Sequence, residues 1–317
     1  MKMQDVRFGI EIETVGQTRL NVGRAIQRVV GGTVNEADSG GTHNGVRVTD
    51  DAGRLWDVVS DASLSSVPSP LRAEVVSPIL GYQDIPLLQQ VVRAVRQCGA
   101  RTSDPNCGIH IHVSHPDVTP MALANLCKIV YKQQAIVFKA LGVNDYRLDH
   151  YCKPIDPEFI RRIQRRLPHT FEQLNRQWYG RLVTLPTRYD QSRYHIINLN
   201  GYFLRGAVEI RAYAGSLHAG KVKAAVLFSM ALLAKAINCR GASATRRTYD
   251  SSSAKYDFRV FLVSSLGMIG DEFKSTRMHL LANLTGNSAW KHGRPTLKAK
   301  NAASENTNTM EVCCGAS

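Results

Sequence analysis

Four short segments of this chain alternate ionisable and apolar side chains with period two, and this pattern constrains the fold more than any other feature. Glu11 and Glu13 flank Ile12, Arg72 and Glu74 flank Ala73, His110 and His112 flank Ile111, and Glu209 and Arg211 flank Ile210. Residues two apart on a strand point to the same face. The segments 8–14, 71–76, 108–114 and 207–213 therefore read as strands with one charged and one apolar face. Strands buried on both faces run continuously apolar, so the alternation selects a sheet with one wet face. Helices must cover the other face. The expected class is α+β, an antiparallel sheet backed by helices.

Between these strands apolar residues recur at helical spacing. Residues 19–30 read as a helix stopped by Gly31-Gly32, 85–98 as an amphipathic helix and 120–141 as a long one. Residues 157–179 carry the same pattern, kinked or broken at Pro168, which lacks an N–H to donate. Residues 33–59 suggest a hairpin or meander, and 194–200 pairs with 207–213 around a turn at 201–206. A long apolar helix over 218–239 precedes a small, polar, basic loop or linker near 240–256, and helical patterning returns over 258–284. One domain over 1–290 is expected, followed by a disordered tail over 291–317 that is rich in Ala, Asn, Thr and Ser.

The 317 residues are 44% hydrophobic, enough for a substantial core. Seven scattered cysteines without a CxxC pair argue against a disulfide framework. The first residues have no apolar stretch of signal-peptide type, and the longest apolar run, 224–234, falls short of the roughly 20 residues that span a bilayer. A soluble cytoplasmic protein without a membrane partner is expected. Forty Lys and Arg against 26 Asp and Glu give a net charge of +14, a field that draws nucleotides, nucleic acid or acidic polymers.

If the four strands share one sheet, their carboxylates, imidazoles and guanidinium groups converge on a single surface. Crowded carboxylates raise one another's pKa unless a cation neutralises them. Oxygen-rich sites with an occasional imidazole suit magnesium or manganese, and arginines suit a transferring phosphoryl group. Two other readings stand beside this one. His110 and His112, with His115 nearby, could serve a zinc hydrolase, although His115 is at odd spacing and precedes Pro116. The net charge and the RRIQRR run at 161–166 could serve a non-catalytic nucleic-acid-binding protein. A P-loop, a GxGxxG fingerprint and a kinase signature are all absent, so any nucleotide would be held by the sheet itself.

The ordered stretches FGIEIET, WDVVSDASL, RAEVVSPIL, CGIHIHV, RYHIINLN and VEIRAYAGSL, running from residue 8 to residue 217, resemble the motifs of the amidoligase family. These are carboxylate–amine ligases related to glutamine synthetase and glutamate–cysteine ligase. The resemblance implies a curved antiparallel sheet of the glutamine synthetase-like catalytic fold, ATP, and two or more magnesium ions, with manganese as a substitute. It implies Glu11, Glu13, Glu74 and Glu209 as metal ligands, joined by His112. His110, His112, Asn200 and Arg211 would contact ATP, and Glu74, Arg193 and Arg211 would act in catalysis. The implied reaction activates a carboxylate as an acyl phosphate, which an amine then displaces. The amine and acid would be amino acids, polyamines or peptides, with a polyanionic substrate or nucleic acid as a further partner. Where the family has Asp-Gly-Ser, this chain has Asp61-Ala62-Ser63 and loses the close backbone approach that glycine allows.

Overall fold

A computed structural model describes residues 1–36 and 45–294. The tail expected over 291–317 falls almost wholly outside these residues, as does the centre of the expected meander at 37–44. Eight strands form one antiparallel sheet: β1 Arg7–Val15, β2 Thr33–Asn35, β3 Val46–Thr49, β4 Leu55–Val59, β5 Arg72–Val76, β6 Gly108–Ser114, β7 Ile197–Asn198 and β8 Val208–Ala214. Their spatial order is β2-β3-β4-β5-β1-β6-β8-β7. The helices are α1 Arg19–Val30, α2 Ile85–Gln97, α3 Pro120–Leu141, α4 Asp145–His150, α5 Pro157–Arg165, α6 Phe171–Tyr179, α7 Asn200–Arg205, α8 Ala219–Asn238, α9 Ala254–Val260 and α10 Lys274–Leu280. The fold is α+β, and the four alternating strands are the sheet's adjacent members β5, β1, β6 and β8.

Register turns the sequence pattern into a surface. Glu13 stands opposite Glu74, Glu11 opposite His110, and His112 opposite Glu209. The alternate residues Phe8, Ile10, Ile12, Val75, Ile109, Ile111 and Ile210 are buried on the other face. Each such side chain contributes about 1.5–3 kcal/mol by leaving water. The β6–β8 pairing shifts register between Ile109 and Ile111, a bulge on β8 in which Arg211 and Ala212 together oppose His110. Bulges of this kind re-aim a side chain.

Helices cover the apolar face. α8 touches α2, α3, α10 and β6, which explains why it is apolar almost all round. Thr119 caps α3 by accepting from the Ala122 N–H, Pro120 occupies its first turn, and Gly142 ends it at φ 67°. Among the described residues no helix is long and apolar enough to cross a membrane.

The helical pattern of 157–179 is divided into α5 and α6, with Pro168 in the gap. The expected turn at 201–206 is instead helix α7, and the expected strand at 194–200 shrinks to the two residues of β7. Asn198 explains both departures: its Oδ1 accepts from the Gly201 N–H, which starts a helix immediately after the strand. Gly206, at φ 74°, stops it. The helical stretch at 258–284 is interrupted by a π-helical turn at Phe261–Ser265 and by Gly267 and Gly270, both at positive φ. The segment 240–253 is irregular, yet Ala244 is buried and the Arg247 N–H donates to the Lys132 carbonyl of α3.

Candidate active site

β1 supplies the centre of the polar face. One oxygen of Glu11 lies 3.1 Å from His110 Nδ1 and the other 3.0 Å from His112 Nε2. Glu209, across β6, lies 3.6 Å from His110 Nδ1, accepts from Asn198 Nδ2 at 2.6 Å, and is paired with the Arg211 guanidinium. Arg211 also donates from Nε to the Tyr151 carbonyl at 3.1 Å. Burial alone would raise both acids, but these cations more than offset it. Glu11 is held well below the usual range by His112 and His110, and Glu209 is brought down to about 2 by Arg211, His112 and His110. Burial also opposes charge on the imidazoles. His112 is nevertheless raised by Glu11, whereas His110 is lowered by burial and by Arg211.

The other side of β1 behaves differently. Glu13 accepts from the Gly108 N–H at 2.6 Å, and its second oxygen is 3.7 Å from His110 Nε2. Its nearest acidic neighbours are Glu74, opposite on β5, and Asp61 in the loop after β4. Burial and then Asp61 push Glu13 up to about 8, against the pull of Arg147. Glu74 is raised well above the usual range by burial, then by Glu11, Asp61 and Glu13.

Among the described residues, three sets of side chains bring their ligand atoms within 4.8 Å of one another: Glu11, Glu74 and His110; Glu11, His112 and Glu209; and Glu13, Asp61 and Glu74. The sets overlap through Glu11 and Glu74. Each has two or three carboxylates and at most one imidazole, a donor chemistry that fits a hard cation such as Mg²⁺ or Mn²⁺ better than zinc. His112 Nε2 is sealed from solvent and lies 3.0 Å from Glu11. His115 takes no part. It lies beyond β6, where its Nδ1 accepts from the Asp117 N–H, and the zinc arrangement of three histidines does not form.

The acids floor a cavity of about 460 Å³ whose lining also includes Arg193, Asn200 and Arg211. His112 is not part of that lining. Asn200 is buried and held at both ends of its amide: it accepts from the Tyr179 hydroxyl and donates to the Thr187 carbonyl at 3.0 Å. Asp61 accepts from the Ser63 N–H at 2.6 Å, so it holds its own turn while turning toward Glu13 and Glu74. Of the RRIQRR run, Arg161 pairs with Glu158, and Arg162 lies 3.5 Å from Asp156 and 3.8 Å from Glu158. Half of that basic run is thus matched within its own helix.

The sequence reading missed Asn198, Arg147, Tyr151, Arg188 and Arg205, all of which line the cavity. Asn198 had a signal, since it sits on β7 directly opposite Glu209. Arg147 on α4 had none. It is 1% exposed, donates to the Asn106 carbonyl at 2.8 Å, and packs so closely on Gly108 that any Cβ there would clash with its guanidinium. A glycine at 108 therefore lets the cation approach Glu13.

No curated protein matches the chain. The family model described as "Putative amidoligase enzyme" matches residues 4–233, a span that contains the whole sheet and every residue of the acid clusters. The chain belongs to this amidoligase family.

Proposed function

We propose that the protein is an ATP-dependent carboxylate–amine ligase that forms an amide through an acyl phosphate. The observation that carries this reading is the convergence of the carboxylates of three overlapping cation-competent clusters with the Arg211 guanidinium in one cavity. Family membership supports an amide-forming ligase acting on an amine and a carboxylate, and the antiparallel sheet with acids on one face supports a glutamine synthetase-like, curved catalytic sheet. Residues 1–290 form the catalytic domain in this reading, with α9 packed on α3 and α10 on α8. The free thiols of the described cysteines and the need for ATP fit a reducing, cytoplasmic location.

Glu11, Glu13, Asp61, Glu74, His112 and Glu209 would hold Mg²⁺ or Mn²⁺. Bound there, such ions would neutralise the triphosphate and withdraw charge from the γ-phosphoryl group. Arg211, fixed by Glu209 and the Tyr151 carbonyl, donates to the phosphoryl oxygens as charge develops on them. Arg193 adds a second guanidinium at the cavity wall. The substrate carboxylate attacks the γ-phosphorus and ADP leaves. The neutral amine then attacks the acyl carbon, inorganic phosphate leaves, and the amine proton is lost. No protein nucleophile is needed, so positioning and charge neutralisation carry the catalysis.

The test is ADP and phosphate release with Mg²⁺, screened against amino acids, polyamines and peptides, with Glu11→Gln and Arg211→Ala as comparisons. Turnover that both substitutions abolish is the expected result. Turnover that survives both would remove the site assignment, and hydrolysis that needs zinc but no ATP would remove the ligase reading.

A further inference from the structure

The mouth of the cavity carries a stack of arginines and tyrosines of which the ligase chemistry uses only the inner members. The Arg188 guanidinium lies 5.7 Å from the centre of the Tyr189 ring, and Arg193 lies 5.6 Å from that ring and 5.5 Å from the ring of Tyr194. Arg211 lies 5.8 Å from Tyr194. Arginine and tyrosine thus alternate from Tyr189, 70% exposed, to Arg211, 3% exposed on the sheet. Arg205, at the end of α7, lines the same cavity.

These cations are not used up by the fold. Among the described residues, Arg188, Arg193 and Arg205 have no carboxylate within ion-pair distance, and the one side-chain hydrogen bond of Arg193 goes to the Arg188 carbonyl at 3.1 Å. A guanidinium stacked on a ring keeps its N–H edge free to donate. Already oriented, it loses less freedom on meeting a carboxylate, whose two oxygens match its fork. The cavity is therefore polarised, with acids on the sheet and unpaired arginines at the mouth.

Building on the ligase reading, we propose that the acid substrate is an acidic peptide drawn in along this ladder, with side-chain carboxylates on Arg188 and Arg205 and the reacting carboxyl at Arg211. Nucleic acid fits less well, because single strands are gripped by open aromatic faces, and here Tyr189 and Tyr194 each already carry two guanidinium contacts. A carboxyl is also the group that the ligation consumes. ATP would meet Arg211 and Arg193, which makes Arg188 and Arg205 the cleanest reporters of the peptide.

The experiment measures fluorescence anisotropy of a labelled hexaglutamate peptide with the full chain, without nucleotide. The Arg188→Gln/Arg205→Gln double variant is compared with Arg165→Gln/Arg166→Gln, which removes the same charge from the end of α5. The mouth variant should weaken binding about tenfold or more and the control less than about twofold, as expected for site-specific rather than net-charge attraction. A single-stranded DNA of equal charge should bind more weakly and be indifferent to the mouth variant. Equal losses in the two variants, no peptide binding, or DNA binding that is tighter and just as sensitive to the mouth arginines would each overturn the proposal. ADP release, measured after ATP, Mg²⁺ and the panel of amines are added to parallel samples, separates the two levels. Peptide affinity that follows the mouth arginines without ADP release overturns the ligase reading and leaves the binding site. ADP release with an uncharged acid, and no peptide affinity, overturns the peptide proposal alone.

Discussion

The two sides of β1 carry the same residue type and treat it in opposite ways. Toward β6 and β8 the chain supplies its own counter-charge: Arg211, His112 and His110 surround Glu11 and Glu209 and hold both acids ionised. Toward β5 it does not. Glu13 and Glu74 face each other with Asp61 beside them, and both are pushed toward the neutral form. One half is neutralised largely by the protein's own side chains, and the other has carboxylates in excess. In the proposed reading, the difference marks where a bound cation changes the charge balance most.

The strongest way to break this comparison is Arg211→Ala. It strands Glu209 in a buried site, and removing one partner of a buried pair costs about 3–5 kcal/mol. Loss of a preorganised donor to the transition state should also lower ADP release by about 10²–10³. Urea unfolding and single-turnover kinetics measure the two effects separately. A stability change under about 1 kcal/mol would mean that Arg211 does not neutralise this half.

Glu13→Gln should act with the opposite sign. Without a metal it removes a buried acid that has no adequate partner, and at pH 8 we expect it to raise stability by about 1–3 kcal/mol while reducing the thermal shift that Mg²⁺ produces. The wild-type protein without metal should show both halves in its pH profile. Glu13, raised from 4.5 to about 8, keeps its proton in the folded state where the unfolded chain has lost it. Stability from this side is therefore greatest below pH 4.5 and falls as pH rises toward 8, by at most about 1.4 kcal/mol per unit. Glu209, lowered from 4.5 to about 2, gives the reverse: its contribution is complete above pH 4.5 and is lost as pH falls toward 2. Thermal melts across pH, with and without Mg²⁺, check this. The loss toward pH 8 should disappear with Mg²⁺, and the loss toward acid should remain.

The wet face was legible in the sequence because period-two alternation is a local property of each strand, and four such strands sort themselves by burial. The contrast between its halves was not. It depends on register, which sets Glu13 against Glu74 and His112 against Glu209, and on Asp61, whose reach from a loop no spacing reveals. Arg147 was hidden for the same reason, since its partners Asn106 and Gly108 are distant in sequence and α4 has no amphipathic signature of a site. At 201–206, glycines at both ends read as a turn, whereas Asn198 and Gly206 frame a short helix between them.

Asn198 also provides the smallest test and the sharpest one for the paired half. Its amide donates to Glu209 at 2.6 Å and its carbonyl oxygen accepts from Gly201, so Asn198→Ala removes two hydrogen bonds and should cost about 1–2 kcal/mol. Glu209 owes its low pKa first to the charges of Arg211, His112 and His110 rather than to this amide. The variant should therefore melt earlier at every pH while keeping the acid limb of its pH profile in place. A limb that moved toward neutral pH would show that the amide, and not the cations, holds Glu209 ionised, and the contrast between the two sides of β1 would then be one of hydrogen bonding rather than of charge.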